Sequence, residues 1–137
     1  TILLDNGHIL DTIIYYLANS LNAVPKSMLG IGMFIVQDIF NMVVPSGSGQ
    51  AAITMPIMAP LADLVGITRQ TAVLAFQMGD AFTNVLAPTS GEVVAACAMA
   101  RISFGKWFRW LLPLFGLWWL VAFIFLTIAV KIGYGPF

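Results

Sequence analysis

Charge is scarce in this sequence: Asp, Glu, Lys and Arg make up 9% of its 137 residues, against roughly 25% in an ordinary soluble domain. Six basic and six acidic residues cancel, and neither sign forms a run. That excludes a nucleic-acid surface and a polybasic membrane patch. Cysteine is reduced to Cys97 and histidine to His8. A lone cysteine in an apolar run forms no internal disulfide and reads as a small buried hydrophobe. His8 has Asp11 three residues on but no third ligand nearby, so a solvated or capping role suits it better than a metal site. The run Ser46-Gly47-Ser48-Gly49 lacks the glycine-any-serine-any-glycine spacing of a hydrolase elbow and has no companion histidine. Neither an enzyme nor a cofactor is expected.

What is present is apolar. Hydrophobic residues make up 60% of the chain and the mean hydropathy is +0.93, which places it among membrane proteins rather than soluble domains. It opens at Thr1 with no signal peptide and holds four or five apolar segments, fewer than the two-halved assemblies that alternating access requires. It therefore reads as the C-terminal portion of a longer multi-pass protein.

Over residues 9–24, Leu10, Ile13, Ile14, Leu17, Leu21 and Val24 recur at helical spacing. Asp11, Thr12, Tyr15, Asn19, Ser20 and Asn22 fill the other side, predicting an amphipathic helix lying in the membrane interface. Residues 27–66 read as a helical hairpin. Its first arm is almost wholly apolar, and Gln37, Asp38, Asn41 and Pro45 share one face of it. The second arm, from Ala51 to Ala62, is apolar for about a dozen residues and holds Pro56 and Pro60. That is short for a span and suits a re-entrant segment. Residues 68–101 form a helix broken at 87–91, with Thr68 as N-cap and with Gln77, Asp80 and Asn84 on one face. Residues 104–132 form a final transmembrane helix behind a boundary of Arg101, Lys106, Trp107, Arg109 and Trp110. If that basic cluster is cytoplasmic, the hairpin enters from the outside and the C-terminus lies outside.

The two interruptions share a pattern. Asn41-Met42-Val43-Val44-Pro45-Ser46-Gly47 and Asn84-Val85-Leu86-Ala87-Pro88-Thr89-Ser90 each run asparagine, three apolar residues, proline, a hydroxyl residue, then a small residue. Irregular backbone at membrane depth is tolerated only where protein buries it or water reaches it, and paired breaks of this kind point to a transporter's binding site. Helices ending at Val44 and Ala87 would offer free carbonyls to a cation. Helices restarting near Gln50 and Gly91 would offer N–H groups to an anion. The candidate substrate and ion ligands are Asn41, Pro45, Ser46, Gly47, Ser48, Gly49, Gln50, Asp80, Thr83, Asn84, Pro88, Thr89, Ser90 and Gly91. Ser46, Ser48, Asn84 and Thr89 form a candidate Na⁺ set, and Asp80 is the candidate coupling carboxylate. Asp38 reads as a packing or hydrogen-bonding group, and Glu92 as the partner of Thr89 in a capping box.

Several runs carry a family resemblance. These are Pro45 to Ala52, Met55-Pro56-Ile57-Met58-Ala59-Pro60-Leu61-Ala62-Asp63, Arg69 to Gln77, Gly79-Asp80 and Asn84. They closely resemble the YfcC family of bacterial inner-membrane carriers, related to the anaerobic C4-dicarboxylate carriers and labelled as basic amino acid antiporters, within the ion transporter superfamily. The resemblance implies two inverted repeats, each with a re-entrant hairpin and a discontinuous helix, in an elevator-type domain moving against a dimeric scaffold. This chain would be the end of the second repeat. Sodium-coupled relatives carry Ser-Asn-Thr at their hairpin tips, whereas Ser46-Gly47-Ser48 has no asparagine.

The expected fold is thus all-α and membrane-embedded: arm helix, re-entrant hairpin, broken helix and final span. The expected function is secondary active transport of a small carboxylate-bearing metabolite, a C4-dicarboxylate or an amino acid, as symporter or antiporter coupled to Na⁺ or H⁺. Expected partners are membrane lipid, the rest of the same protein and a second copy of it, but no nucleic acid. The alternatives are a channel-like pore and a non-transporting scaffold subunit.

Overall fold

The computed structural model describes Tyr16 and residues 25–136. The interfacial helix expected over residues 9–24 lies outside the described residues except for Tyr16. Five helices follow: α1 (Lys26–Val43), α2 (Gly47–Val65), α3 (Arg69–Asn84), α4 (Gly91–Met99) and α5 (Phe104–Ile132), with no strand among the described residues. Among the described residues only α5 is both long and apolar enough to cross a membrane unaided.

The helix ends follow from local chemistry. Ser46 caps α2, its hydroxyl accepting from the Gly49 N–H at 3.3 Å, so the helix restarts at Gly47 rather than near Gln50. The second arm also runs further than its apolar stretch suggests, 19 residues to Val65. Pro56 and Pro60 lie inside it, and each removes one backbone donor without ending the helix, which packing on α3 holds in place. Gly66 stops it in the left-handed region at φ 74, while the Ile67 N–H reaches back to the Ala62 carbonyl at 3.0 Å. Thr68 then caps α3 as expected, accepting from the Thr71 N–H.

α3 is the least apolar helix, yet α1, α2 and α5 all pack on it, α1 most extensively. The α1–α3 crossing is close because Gly79 has no side chain. A Cβ there would lie 2.9 Å from the Gln37 Cβ and 3.0 Å from the Asp38 backbone N. Small residues allow such approach, and close packing drives helix association where lipid removes the hydrophobic difference. Around the crossing, Leu29, Met33 and Phe34 of α1 meet Ala72 and Ala75 of α3 and Ala122 and Leu126 of α5, all buried. Phe34 is the aromatic centre, edge-on to Phe82, Trp119 and Phe123 with centroids 5.5–6.2 Å apart. Outside that seam α5 exposes Trp110, Leu117, Leu120, Ile124, Phe125 and Ile128, an apolar surface of the kind a membrane or further protein covers.

The shared faces hold in part. Gln37, Asp38 and Asn41 of α1 are all buried, but in α3 Asp80 is buried while Gln77 is exposed. The two ends of the bundle are tied as well. The Thr68 hydroxyl donates to the Tyr134 carbonyl at 2.6 Å, so the start of α3 and the exit of α5 lie at one end. The Trp107 indole donates to the Val85 carbonyl at 2.9 Å and joins the start of α5 to the end of α3.

Gly79→Ala forces a methyl group into the α1 backbone and costs about 1–3 kcal/mol. A lowered melting temperature of the full-length protein in detergent is the expected result; an unchanged melting curve refutes the close crossing.

Candidate functional site

The hairpin tip and the helix break lie side by side. Between them opens a cleft of about 360 Å³ lined by Pro45, Ser46, Gly47, Asn84, Ser90, Gly91 and Glu92, within the ~300–1,000 Å³ range of small-molecule sites. Six of its seven lining residues are among the candidates named above, and four fall at the restart points of the two broken segments. α2 begins at Gly47 and α4 at Gly91, so two sets of helix-start N–H groups, unpaired within their helices, face one space. Ser90 is 7% exposed and its side chain makes no capping bond.

Asp80 sits just behind this lining. Its Oδ2 lies 3.0 Å from where a Gly47 Cβ would stand, so the tip backbone rests against the carboxylate. Asn84 Nδ2 approaches Asp80 Oδ1 at 3.4 Å, and Asn41 Nδ2 donates to the Asp80 backbone carbonyl at 2.8 Å. One turn away the Thr83 hydroxyl donates to Asp38 Oδ1. Asp63 and Arg69, paired at 2.6 Å on the surface, form the one salt bridge among the described residues, so neither Asp38 nor Asp80 has a cationic partner there.

A second hollow, about 350 Å³, runs from Glu92 along Val93, Ala96, Cys97 and Ala100 to Ile102 and Trp107. Apart from Glu92 its walls are apolar, and the Trp107 indole is already bonded to Val85, so it offers no donor to a carboxylate.

Residues 1–131 match the family described as C4-dicarboxylate anaerobic carrier. The chain belongs to this carrier family. It is 39% identical over 129 residues to "Putative basic amino acid antiporter YfcC" of Escherichia coli, covering 94% of this chain and 26% of that protein. It is 38% identical over 131 residues to an uncharacterized protein of Haemophilus influenzae, covering 96% and 26%. The chain therefore spans about a quarter of the length of the curated relatives it matches. In three dimensions it is similar to the YdaH transporter of Alcanivorax borkumensis, whose topology is described as unusual. The TM-score is 0.81 at 23% identity, over 97% of this chain and 30% of that one. The relatives with a stated activity are carriers and transporters, not enzymes.

Within this C4-dicarboxylate carrier family member, not every candidate reaches the cleft. Ser48, Pro88 and Thr89 are exposed and do not line it. The Thr89 hydroxyl is spent on the Met42 carbonyl at 2.9 Å, and the Ser46 hydroxyl accepts from Gly49. Of the four residues considered for Na⁺, only Ser46 and Asn84 share the space. Gly49 lies against the Ser46 side chain. Asn41, Gln50 and Thr83 are buried behind the lining and hold helices together.

The free carbonyls expected at the helix ends are largely occupied. Val44 O accepts from the Ser46 N–H at 2.8 Å and Ala87 O from the Ser90 N–H at 3.0 Å, while Met42 O and Val85 O take Thr89 and Trp107. Unpaired carbonyls are costly in an apolar setting, and here the protein satisfies them itself. The capping box fails too: the N-cap position of α4 is Ser90, not Thr89, and its side chain makes no cap bond, which leaves Glu92 in the first turn and exposed at the cleft. Sequence spacing had assigned Glu92 to structure. The signal that it faces the cleft is that it follows Gly91, the first residue of the restarted helix.

Behind the tip, Gln50 Nε2 donates to both the Gln37 carbonyl and Gln37 Oε1, at 2.9 and 2.8 Å. Both side chains are fully buried, so this amide pair fastens the second arm to the first. Gln37 Nε2, Gln50 Oε1 and Asn41 Oδ1 find no partner among the described residues. Gln50→Leu leaves Gln37 Oε1 buried without a donor and costs about 1–3 kcal/mol, whereas adding Gln37→Leu removes that acceptor. The expected melting temperatures of the full-length protein place the double variant above Gln50→Leu alone. Equal or additive losses refute the pairing.

Proposed function

We propose that the intact protein is a secondary active transporter for a small carboxylate-bearing metabolite, coupled to Na⁺ or H⁺, in the bacterial inner membrane. The observation that carries this reading is the polar cleft between two interrupted segments, where two helices begin at the same place. Helix starts favour anionic groups through their free N–H donors and the dipole, by about 0.3–1 kcal/mol each even when exposed and more when partly buried. A substrate carboxylate therefore has a defined seat at Gly47 and Gly91. Family membership and the two transporter relatives support the same class, and their names differ on the solute: a C4-dicarboxylate for the family, a basic amino acid for the E. coli relative. Both solutes carry a carboxylate.

In this proposal Asp80 is the coupling group. It is buried and without a cationic partner among the described residues, a costly state for an ionised carboxylate at membrane depth. It also touches the tip that would carry substrate. Asn84 links it to the cleft. A proton, or a Na⁺ shared with the oxygens of Ser46 and Asn84, would settle its charge. The hairpin acts as a re-entrant element, the other wall of the site comes from the rest of the protein, and the working unit is a homodimer of multi-pass chains.

Counterflow by the full-length protein in liposomes, with Na⁺ and pH varied over a panel of organic acids and amino acids, tests this. Saturable exchange is expected, with Asp80→Asn and Asn84→Ala each lowering kcat/KM by roughly tenfold or more, equivalent to ~1.4 kcal/mol. Uptake unchanged by both substitutions, with the same ion dependence, defeats the site assignment. Conductance without counterflow defeats the carrier reading.

A further inference from the structure

We infer that Glu92 is a specificity residue of the cleft, selecting a substrate that bears a cationic nitrogen as well as a carboxylate. The inference rests on the carrier reading above and narrows its substrate class.

Three observations meet at this point. First, Glu92 is the one ionisable side chain among the seven residues lining the cleft. It is exposed and takes part in no hydrogen bond or salt bridge among the described residues. Its charge is therefore available to a solute. Second, the starts of α2 and α4 supply a partial positive charge at Gly47 and Gly91. Third, Ser90 lines the same cleft while more than nine-tenths buried, and its hydroxyl has no partner. Ser90 as a residue is largely covered by protein, and its unpaired hydroxyl borders the cleft, where a ligand atom can meet it. Together these give two donor-rich helix starts, one unused hydroxyl and one fixed negative charge.

That pattern complements a zwitterion. A carboxylate placed at Gly47 and Gly91 satisfies backbone donors, the Ser90 hydroxyl adds a further hydrogen bond, and a cationic nitrogen on the same molecule meets Glu92. A dicarboxylate fits this wall poorly. Its second carboxylate would face Glu92 with Asp80 close behind, and no Lys, Arg or His lines the cleft to answer it. Like charges brought together discriminate against the wrong solute, and more so once a bound solute excludes water from between them. Glu92 also benefits from sitting in the first turn of α4, which explains why a carboxylate is tolerated there but not why it borders the cleft.

The experiment is counterflow by the full-length carrier in liposomes, with lysine, alanine and succinate as probes. Wild type, Glu92→Gln and Glu92→Asp are compared, and each variant is checked by its melting curve in detergent. Because Glu92 is exposed, folding is expected to be preserved. Wild type should exchange lysine or alanine saturably and be inhibited weakly by succinate. Glu92→Gln should raise the amino acid KM by about tenfold with kcat little changed and should strengthen inhibition by succinate, while Glu92→Asp keeps most of the preference. An effect on lysine but not alanine assigns Glu92 to the side-chain nitrogen; an effect on both assigns it to the α-amino group. Wild-type exchange of succinate in preference to both amino acids overturns the inference and leaves the carrier reading standing. So does an unchanged amino acid KM in Glu92→Gln. Absence of saturable exchange for all three probes overturns both.

Discussion

A chain that breaks its helices among apolar residues must find internal partners for the backbone it exposes, and the rest of this structure follows from that demand. In hydrocarbon each unsatisfied group costs several kcal/mol. The two breaks meet the demand by bonding across to each other and to their neighbours: Thr89 to Met42, Asn41 to Asp80, Trp107 to Val85. Each bond joins residues at least 22 positions apart, so neither break could keep its form without the other elements. The cleft is what remains between two irregular segments that have otherwise satisfied themselves.

The same constraint explains why α3 sits in the middle although it is the least apolar helix. Its polar side would be expensive against lipid, and α1 offers it Gln37, Asp38 and Asn41 instead. The Gly79 approach brings the helices close enough for Thr83 to reach Asp38 and for Asn41 to reach the Asp80 carbonyl. The polar residues thus form a seam that fixes register, while Phe34 and its three aromatic neighbours close the apolar side. The seam keeps three amide atoms without partners among the described residues, so it gives specificity of packing more clearly than stability.

The order of the five described helices was legible because Pro, Gly and Ser punctuate this sequence between long apolar stretches, leaving few other places for the chain to turn. The family was legible from the tip and from Gly79-Asp80. Less could be read of what each polar residue does. Asn41 and Asn84 occupy equivalent places in a repeated pattern, yet Asn41 is fully buried between helices and Asn84 borders the cleft. The difference is tertiary: Asn41 lies on the face that meets α3, while Asn84 is the last residue of its helix. Gln50 looked like a ligand because it follows the tip, but its partner Gln37 is set by how the arms cross, which no periodicity reveals. Glu92 stands in capping-box spacing from Thr89, but the helix starts one residue later, and that shift places its carboxylate at the cleft.

The distribution of contacts also bears on how such a site would move. The arms of the hairpin touch each other less than the second arm touches α3, and α1 packs most heavily on α3 as well. A tip that opened alone would have to separate Gln50 from Gln37 and lift Gly47 from Asp80, exposing buried amides and a carboxylate to an apolar surround. Displacement of hairpin and broken helix as one body breaks none of these bonds. α5 belongs to the same body, because it packs on α1 and α3 and is bonded to the two ends of α3 through Trp107–Val85 and Thr68–Tyr134. The bonds of the seam therefore hold hairpin and broken helix together as one unit, with the cleft kept intact between them.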